Sequence, residues 1–223
     1  PGLSNAITNR RAQCKVCNTT APSHPADPLK PTPAPTYPFE STVADYFFLK
    51  GITYLVYADR YTGWVTATKC PPHAADASHL KRKLRTLFCI YGAPAELATD
   101  GGQPFASHSV RQFLSDWGVK WRQSSAYYAQ SNGRAELAVK TAKRILHDNT
   151  TASGDLDTDQ AARALLQYRN TPLQHLNVSP AQLLYGRTLR DHLPSMNDVL
   201  HIRREWQLLA EDREVALKKR HLR

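Results

Sequence analysis

Three consecutive strand-like runs occupy the middle of this sequence. They cover Thr42 to Leu49, Ile52 to Asp59 and Trp64 to Cys70, and Gly51 and a Tyr61-Thr62-Gly63 turn separate them. Runs of β-branched and aromatic residues divided by such short turns are typical of an antiparallel meander. The sequence therefore predicts three neighbouring strands, each joined to the next by a tight turn.

After the meander, helix-like and strand-like segments alternate. Leu80, Leu84, Leu87 and Phe88 recur at helical spacing and predict a helix over 74–91. Further segments are predicted as strands over 95–99 and 120–123 and as helices over 107–117, 132–148, 157–168 and 180–185. Antiparallel strands followed by such alternation are typical of an α/β fold in which helices flank a mixed sheet. We therefore expect a mixed five-stranded sheet.

The rest of the chain predicts attachments to this domain. Seven of the fifteen prolines lie between Pro22 and Pro38, a density that prevents helix and favours an extended, semi-rigid linker. We expect a small N-terminal module over 1–21, a linker over 22–41, the main domain over 42–190 and a C-terminal helical linker over 191–223. Trp206 and its apolar neighbours in the last part predict packing against a partner subunit.

Charge indicates the class of partner. The chain has 29 Lys and Arg against 19 Asp and Glu, which gives a net charge of +10. Such an excess favours a polyanion, nucleic acid first and an acidic membrane surface second, although a basic protein without such a partner remains an alternative. No apolar run approaches the roughly 20 residues that span a bilayer. Four cysteines in 223 residues suit a reducing compartment rather than a disulfide framework.

Three acidic residues stand in unusual places. Asp45 interrupts an apolar strand, where an unpaired carboxylate costs several kcal/mol to desolvate. Asp100 ends a short strand before two glycines, and Glu136 lies in the first turn of a helix. Each has an ordinary explanation: Asp45 could face solvent, Asp100 could form a turn, and Glu136 could complement the helix dipole. Together, three carboxylates suit Mg²⁺ or Mn²⁺.

Two such ions, about 3.5–4 Å apart, can activate a nucleophile and stabilise the leaving oxygen of a phosphodiester. A metal pair needs a carboxylate that bridges it. A residue in a central strand is the most rigid choice, so we predict Asp45 as the bridging ligand.

The strings around these carboxylates resemble a known family. "VADYF", "ATDGGQPF" and "SAYYAQSNGRAELAVKTAKRIL", followed by "ALLQYRNTPL" and "SPAQLLYGR", are similar to retroviral and LTR-retrotransposon integrases, and to the Gypsy-type branch in particular. The resemblance covers nearly the whole chain. It implies an RNase H-like fold, catalysis by Asp45, Asp100 and Glu136 with two Mg²⁺ or Mn²⁺ ions, and the cutting and joining of DNA ends.

The resemblance also implies a set of DNA contacts. Lys140 and Lys143 follow Glu136 along one helical stripe, about 6 and 10.5 Å further along the axis. Both lysines are expected to bind DNA; the alternative for Lys140 is a surface ion pair with Glu136. In and beside the loop 124–131, Tyr127 and Asn132 are expected to contact the processed end of the element by their positions in the family, and the Gln130 amide can bond to phosphates or base edges. Arg144 is a further candidate for a DNA contact. Tyr128 could instead pack inward.

The N-terminal pair Cys14 and Cys17 fits half of a zinc site. Integrases complete this site with two upstream histidines, but no histidine precedes Cys14 in this sequence. We therefore expect zinc binding only with upstream histidines that this chain lacks; a redox role for the pair remains an alternative.

The resemblance predicts an integrase that trims element DNA ends and joins them to target DNA. It implies a homodimer or homotetramer, because two ends must be joined, and a nuclear location within a pre-integration complex. Two rivals remain: a catalytically silent, domesticated DNA-binding or chromatin protein derived from an integrase, and a related nuclease that cleaves RNA–DNA hybrids.

Overall fold

The fold is described from a computed structural model of the chain. It describes residues 3–16, 33–71, 76–123, 133–151, 155, 158–173, 176–191, 200–201 and 203–208, without the side chains of 133–138. The chain divides into two compact units, residues 1–31 and 32–223. Among the described residues, no helix is both long and apolar enough to cross a membrane.

The first unit contains helix α1 (Leu3–Gln13). None of its residues is buried, and its apolar residues are not gathered on one face. Because a helix of this kind has no apolar stripe to reveal it, the sequence analysis missed it. Cys14 follows the helix and is half-buried, whereas Cys17 and the linker up to residue 32 lie outside the described residues.

A five-stranded sheet forms the centre of the second unit. Its strands are β1 (Ser41–Leu49), β2 (Ile52–Asp59), β3 (Val65–Lys69), β4 (Glu96–Thr99) and β5 (Lys120–Gln123), in the spatial order β3-β2-β1-β4-β5. Strands β1, β2 and β3 pair antiparallel, while β4 and β5 add in parallel to the other edge of β1. The predicted meander and the mixed five-stranded sheet are therefore confirmed.

Helices cover both faces of this sheet. Helices α2 (Ala77–Tyr91) and α3 (His108–Asp116) pack on the face that carries Ala44, Tyr57 and Leu97. Helix α4 (Gly133–Asp148) packs on the face that carries Val43, Val56 and Ala98. Alternate residues of each strand thus serve two apolar layers, which explains why β1 and β2 are apolar almost throughout.

Two further helices complete the domain, and both begin at a cap that the sequence contains. Helix α5 (Asp159–Asn170) follows Thr158, whose hydroxyl accepts from the Ala161 amide, and α6 (Pro180–Tyr185) begins with a Ser179 capping box. The predicted start of α2 was three residues too early, because Asp76 caps that helix by accepting from the His79 amide. An N-cap residue is not itself helical, which shifts such boundaries.

One buried carboxylate fixes the turn between β2 and β3. Asp59 has no exposed surface and accepts hydrogen bonds from the amides of Phe39, Tyr61 and Thr62 and from the Thr62 hydroxyl. These bonds tie the segment before β1 to the hairpin. The sequence analysis had treated Asp59 only as the end of a strand.

Candidate active site

The register of the sheet places two of the three candidate carboxylates side by side. Val43 of β1 lies next to Ala98 of β4 in the parallel pair, so Asp45 and Asp100, each two residues further on, continue along neighbouring paths. Adjacent strands lie about 4.8 Å apart. Val43 and Ala98 both belong to the apolar layer beneath α4, and two residues further along a strand is the same face. Asp45 and Asp100 therefore face the α4 side.

Asp100 occupies a tight turn directly after β4. It is exposed, and its Oδ1 accepts a hydrogen bond from the Gly102 amide at 3.0 Å. Gly101 has a φ of +77°, a conformation that L side chains rarely adopt, so a glycine is required there. The turn at these two glycines thus leaves the Asp100 side chain exposed directly after β4.

Helix α4 brings cations to the same place. Val139 and Ala142 anchor the helix in the apolar layer, which directs Lys140 and Lys143 along the side next to Asp45. Lys143 is half-buried, and its Nζ lies 2.5 Å from Asp45 Oδ2 and 5.7 Å from the centre of the Phe47 ring. Lys143 therefore partly neutralises Asp45, whose side chain keeps 29% of its surface exposed.

These side chains line one cleft of about 320 Å³. Its walls are formed by Val43, Ala44, Asp45, Asp100, Val139, Lys140 and Lys143. Two carboxylates and two ammonium groups thus share a cavity with an apolar floor. Such a site can hold divalent cations and the phosphate of a nucleic-acid backbone at the same time.

Tyr46, next to Asp45 in β1, faces the opposite side of the sheet. Its hydroxyl is buried and has no hydrogen-bond partner among the described residues. Burial, helped by the nearby Cys70 and Asp76, raises the pKa of Tyr46. The phenol therefore stays protonated even at a pH at which an exposed tyrosine would ionise.

The third predicted carboxylate belongs to α4. Glu136 lies one helical turn before Lys140, within the first turn of the helix, but its side chain is outside the described part of the structure. No group of three His, Cys, Asp or Glu residues is gathered as a metal site among the side chains that are described. The donors that are described, two neighbouring carboxylates on one cleft, are oxygen ligands and fit Mg²⁺ or Mn²⁺.

The structure describes the other predicted residues only in part. Arg144 is exposed and lies outside the described lining of the cleft. The loop residues Tyr127, Tyr128, Gln130 and Asn132 are outside the described residues, as is the basic end of the chain. The tryptophan of the C-terminal part, Trp206, is 55% exposed. The expectations for DNA contacts in the loop and for subunit packing stay predictions.

The sequence analysis did not single out several residues that border the site. Thr99, Trp121 and Gln123 surround the turn that carries Asp100, and Phe47 contacts Lys143. Their sequence signals are weak, because each contact depends on which residues the strand register places side by side. Phe47 alone had a signal, since it lies two residues from Asp45 on the same face of β1.

Comparison with protein families gives one match along this region. Residues 35–129 match the integrase core domain family. The match includes β1 to β5 with Asp45 and Asp100, and it ends at residue 129, before α4 begins.

Several curated relatives are similar over most of the chain. An uncharacterized protein of Caenorhabditis elegans is 30% identical over 191 residues, which are 85% of this chain and 15% of that protein. The Gag-Pol polyprotein of baboon endogenous virus is 30% identical over 83% of this chain and 11% of its own length. The Pol polyprotein of a radiation murine leukemia virus is 34% identical over 62% of this chain and 24% of its own length. The chain thus spans less than a quarter of these relatives.

Solved structures share the fold. A cryo-EM structure of the simian T-cell lymphotropic virus intasome matches with a TM-score of 0.64 and 20% identity, over 90% of this chain and 70% of that one. The catalytic core domain of BIV integrase matches with a TM-score of 0.53 and 19% identity, over 66% of this chain and 93% of that one. The expected RNase H-like fold is confirmed.

Proposed function

Because the chain carries a retroviral-type integrase core domain, we propose that it cuts and joins DNA by metal-dependent displacement at phosphorus. The observation that supports this most strongly is the juxtaposition of Asp45 and Asp100 on one cleft that two lysines also line. Domains of this family are polynucleotidyl transferases, and the finer proposal concerns the steps that this chain performs and the residues that perform them.

The proposed ligands of the metal pair are Asp45, Asp100 and Glu136. Bound there, two divalent ions would activate the attacking oxygen and stabilise the leaving oxygen. Asp45 suits the central ligand position, because its backbone pairs with Val56 of β2 and lies two residues beyond Val43, the last β1 residue that pairs with β4. Glu136 suits the third position, because it lies one turn before Lys140 on a helix that packs against β1.

The proposed reaction has two steps of the same kind. In the first, water attacks a phosphorus near the end of the element DNA, the bond to the 3′-oxygen breaks, and a free 3′-hydroxyl remains. In the second, that hydroxyl attacks a phosphorus of the target DNA and displaces a target 3′-oxygen. Neither step needs a covalent bond between protein and DNA, so the chain's task is to hold the two backbones against the carboxylates.

Lys140 and Lys143 are proposed to bind the phosphates. Lys140 is exposed on the wall of the cleft, where it is accessible to a DNA strand. The Lys143 ammonium group contacts Asp45, so it has to leave that carboxylate and bind a phosphate when metal and DNA enter the cleft. Such exchange is possible because the Lys143 side chain is still 32% exposed.

The proposed setting is a nuclear complex in which at least two copies of the chain hold two DNA ends. Tyr127, Gln130 and Asn132 are proposed to contact the processed end, because aromatic rings stack on unpaired bases and amides bond to phosphates. Arg144 is proposed to touch the DNA backbone outside the cleft.

A strand-transfer assay tests this function. The chain is incubated with a short duplex that mimics an element end, a target plasmid and Mn²⁺ or Mg²⁺. We expect joined products from the wild-type chain, and a loss of at least roughly 1000-fold, equivalent to about 4 kcal/mol of barrier, for Asp100→Asn. DNA binding by Asp100→Asn should survive, since the variant keeps both lysines.

Two outcomes would contradict the proposal. If Asp100→Asn joined DNA at the wild-type rate, the Asp100 carboxylate would not be needed for the reaction. DNA binding by the wild-type chain without joining under any metal would favour the silent, domesticated alternative, and cleavage confined to RNA–DNA hybrids would favour the nuclease alternative.

A further inference from the structure

The residue before Asp100 has a buried hydroxyl at a meeting point of two elements. Thr99 is the last residue of β4 and is 1% exposed. Its Oγ1 accepts one hydrogen bond from the indole Nε1 of Trp121, at 3.1 Å, and one from the backbone amide of Gly101, at 3.3 Å. A single oxygen thus links strand β5 to the turn that carries Asp100.

Trp121 is itself held firmly in place. It pairs with Leu97 in the parallel register of β4 and β5, and its ring packs against the apolar layer beneath α2 and α3. The Arg111 guanidinium of α3 lies 4.4 Å from the centre of the ring, a distance at which cation–π attraction is effective. The indole N–H therefore approaches Thr99 from a rigid position.

The next residue of β5 on this face closes the other side of the turn. A Cβ atom added to Gly101 would lie 2.3 Å from Gln123 Nε2, which is well inside contact distance. Gln123 is also the register partner of Thr99. The turn around Asp100 is thus enclosed by β5 side chains on one face of the sheet, while its carboxylate projects towards the cleft on the other.

From this arrangement we propose that Thr99 and Trp121 are positioning residues for Asp100. The inference rests on the proposed function, in which Asp100 holds a metal ion. The Trp121 indole fixes the Thr99 hydroxyl, the hydroxyl fixes the Gly101 amide, and the fixed amide sets the direction in which the Asp100 side chain leaves the chain. Neither residue touches the substrate or the metal.

A purely structural role makes a different prediction. Valine has nearly the shape of threonine, so Thr99→Val keeps the β4 packing and removes the shared acceptor. Phenylalanine keeps an aromatic ring beneath Arg111, so Trp121→Phe removes the N–H donor. If the bonds merely held the sheet together, both variants would lose thermal stability and leave the metal affinity of the folded chain unchanged.

The test is a Mn²⁺ titration of the full chain, followed by calorimetry or by the EPR signal of free Mn²⁺. We expect Thr99→Val and Trp121→Phe to bind Mn²⁺ about three- to tenfold more weakly, the range that one hydrogen bond produces. Thr99→Ser, which keeps the hydroxyl, should restore the wild-type affinity. In strand transfer, the two weakened variants should recover towards the wild-type rate as Mn²⁺ is raised, while KM for DNA stays constant.

Controls separate this inference from the proposed function. Trp117→Phe removes an indole N–H from a tryptophan that packs on Phe88 and Phe113, so its Mn²⁺ affinity should match that of the wild type.

Asp100→Asn must weaken Mn²⁺ binding strongly; if it does not, the proposed function fails. If it does, but Thr99→Val and Trp121→Phe both bind Mn²⁺ like the wild type, only the positioning roles are overturned. If Thr99→Val does not fold, Trp121→Phe decides: weaker Mn²⁺ binding supports the positioning roles, and wild-type affinity overturns them.

Discussion

Asp59 and Asp45 lie in neighbouring strands, yet their surroundings are opposite. Asp59 is completely buried, and four donors from Phe39, Tyr61 and Thr62 bond to its two oxygens at 2.7 to 3.2 Å. Asp45 faces a cleft, where the movable ammonium group of Lys143 contacts one oxygen. Two residues of the same chemistry therefore differ in their partners: hydrogen bonds occupy both oxygens of Asp59, whereas Asp45 is accessible from the cleft.

The difference separates a structural carboxylate from one that we propose to be functional. The oxygens of Asp59 are bonded by groups close in sequence or fixed by the fold, so a ligand could enter only by breaking the hairpin. The oxygens of Asp45 and Asp100 face a cleft, and the donors near them are a long lysine side chain and one turn amide. Room for a ligand at the carboxylate oxygens, rather than burial alone, distinguishes the two residues that we propose to be functional.

The largest expected effects come from replacing aspartate by asparagine, in separate variants, at position 59 and at position 45. Asp59→Asn replaces one carboxylate oxygen by an NH2 group, which would face two of the four donors without accepting from them, and this should lower the free energy of unfolding by about 2–4 kcal/mol. The melting temperature should fall by roughly 5–15 °C. Asp45→Asn, at a part-exposed pair, should change stability by about 1 kcal/mol or less while it abolishes strand transfer.

The check is to measure thermal unfolding and strand transfer on both variants. Asp59→Asn should lose mainly stability, and Asp45→Asn should lose mainly activity. Two results would contradict the distinction between a structural Asp59 and a metal-binding Asp45: equal loss of stability in the two variants, or strand transfer that persists in Asp45→Asn.

A smaller effect is expected from the cations of the cleft. Lys140→Gln should weaken DNA binding across all sequences and reduce the slope of log affinity against log salt by about 0.9, the value for one lost phosphate contact. Lys120→Gln is the matched control, because Lys120 is also exposed but lies at the start of β5, at the end of the sheet away from Asp100. Fluorescence anisotropy at several salt concentrations measures the slope, and equal slopes for both variants would remove Lys140 from the DNA site.

The smallest expected effect concerns the buried imidazole of His79. His79 is buried in α2, and its ring nitrogens have no hydrogen-bond partner among the described residues. Burial, followed by the nearby Lys83 and Arg82, lowers the pKa of His79. The unfolded chain therefore binds the proton more readily, and the fold should lose stability as the pH falls below about 6.5.

Melting temperatures between pH 7.5 and 5 test this dependence. His79→Leu should flatten the acid side of the profile, whereas a substitution of the exposed His108, such as His108→Gln, should not. A profile unchanged by His79→Leu would show that the imidazole has a partner when it is charged.

The sheet and its helices were predictable because strand alternation, glycine turns and caps are local signals. Strands β2 and β5 have the predicted bounds, and so does α6, which begins at its Ser179 capping box. The role of Asp59 was missed, because its donors include the distant Phe39. The bonds of Thr99 were missed because Trp121 reaches it only through the register of β4 and β5. Contacts between elements depend on register, which residue types alone do not specify.

The central claim is that Asp45, Asp100 and Glu136 hold a pair of divalent ions in one cleft. The most direct measurement is a crystal structure of the chain with a DNA end and Mn²⁺, in which anomalous scattering locates the metal. We predict two anomalous peaks, each contacted by at least one of these carboxylates, with Asp45 between them. A Glu136 carboxylate directed away from both peaks, or peaks remote from Asp45 and Asp100, would contradict the account.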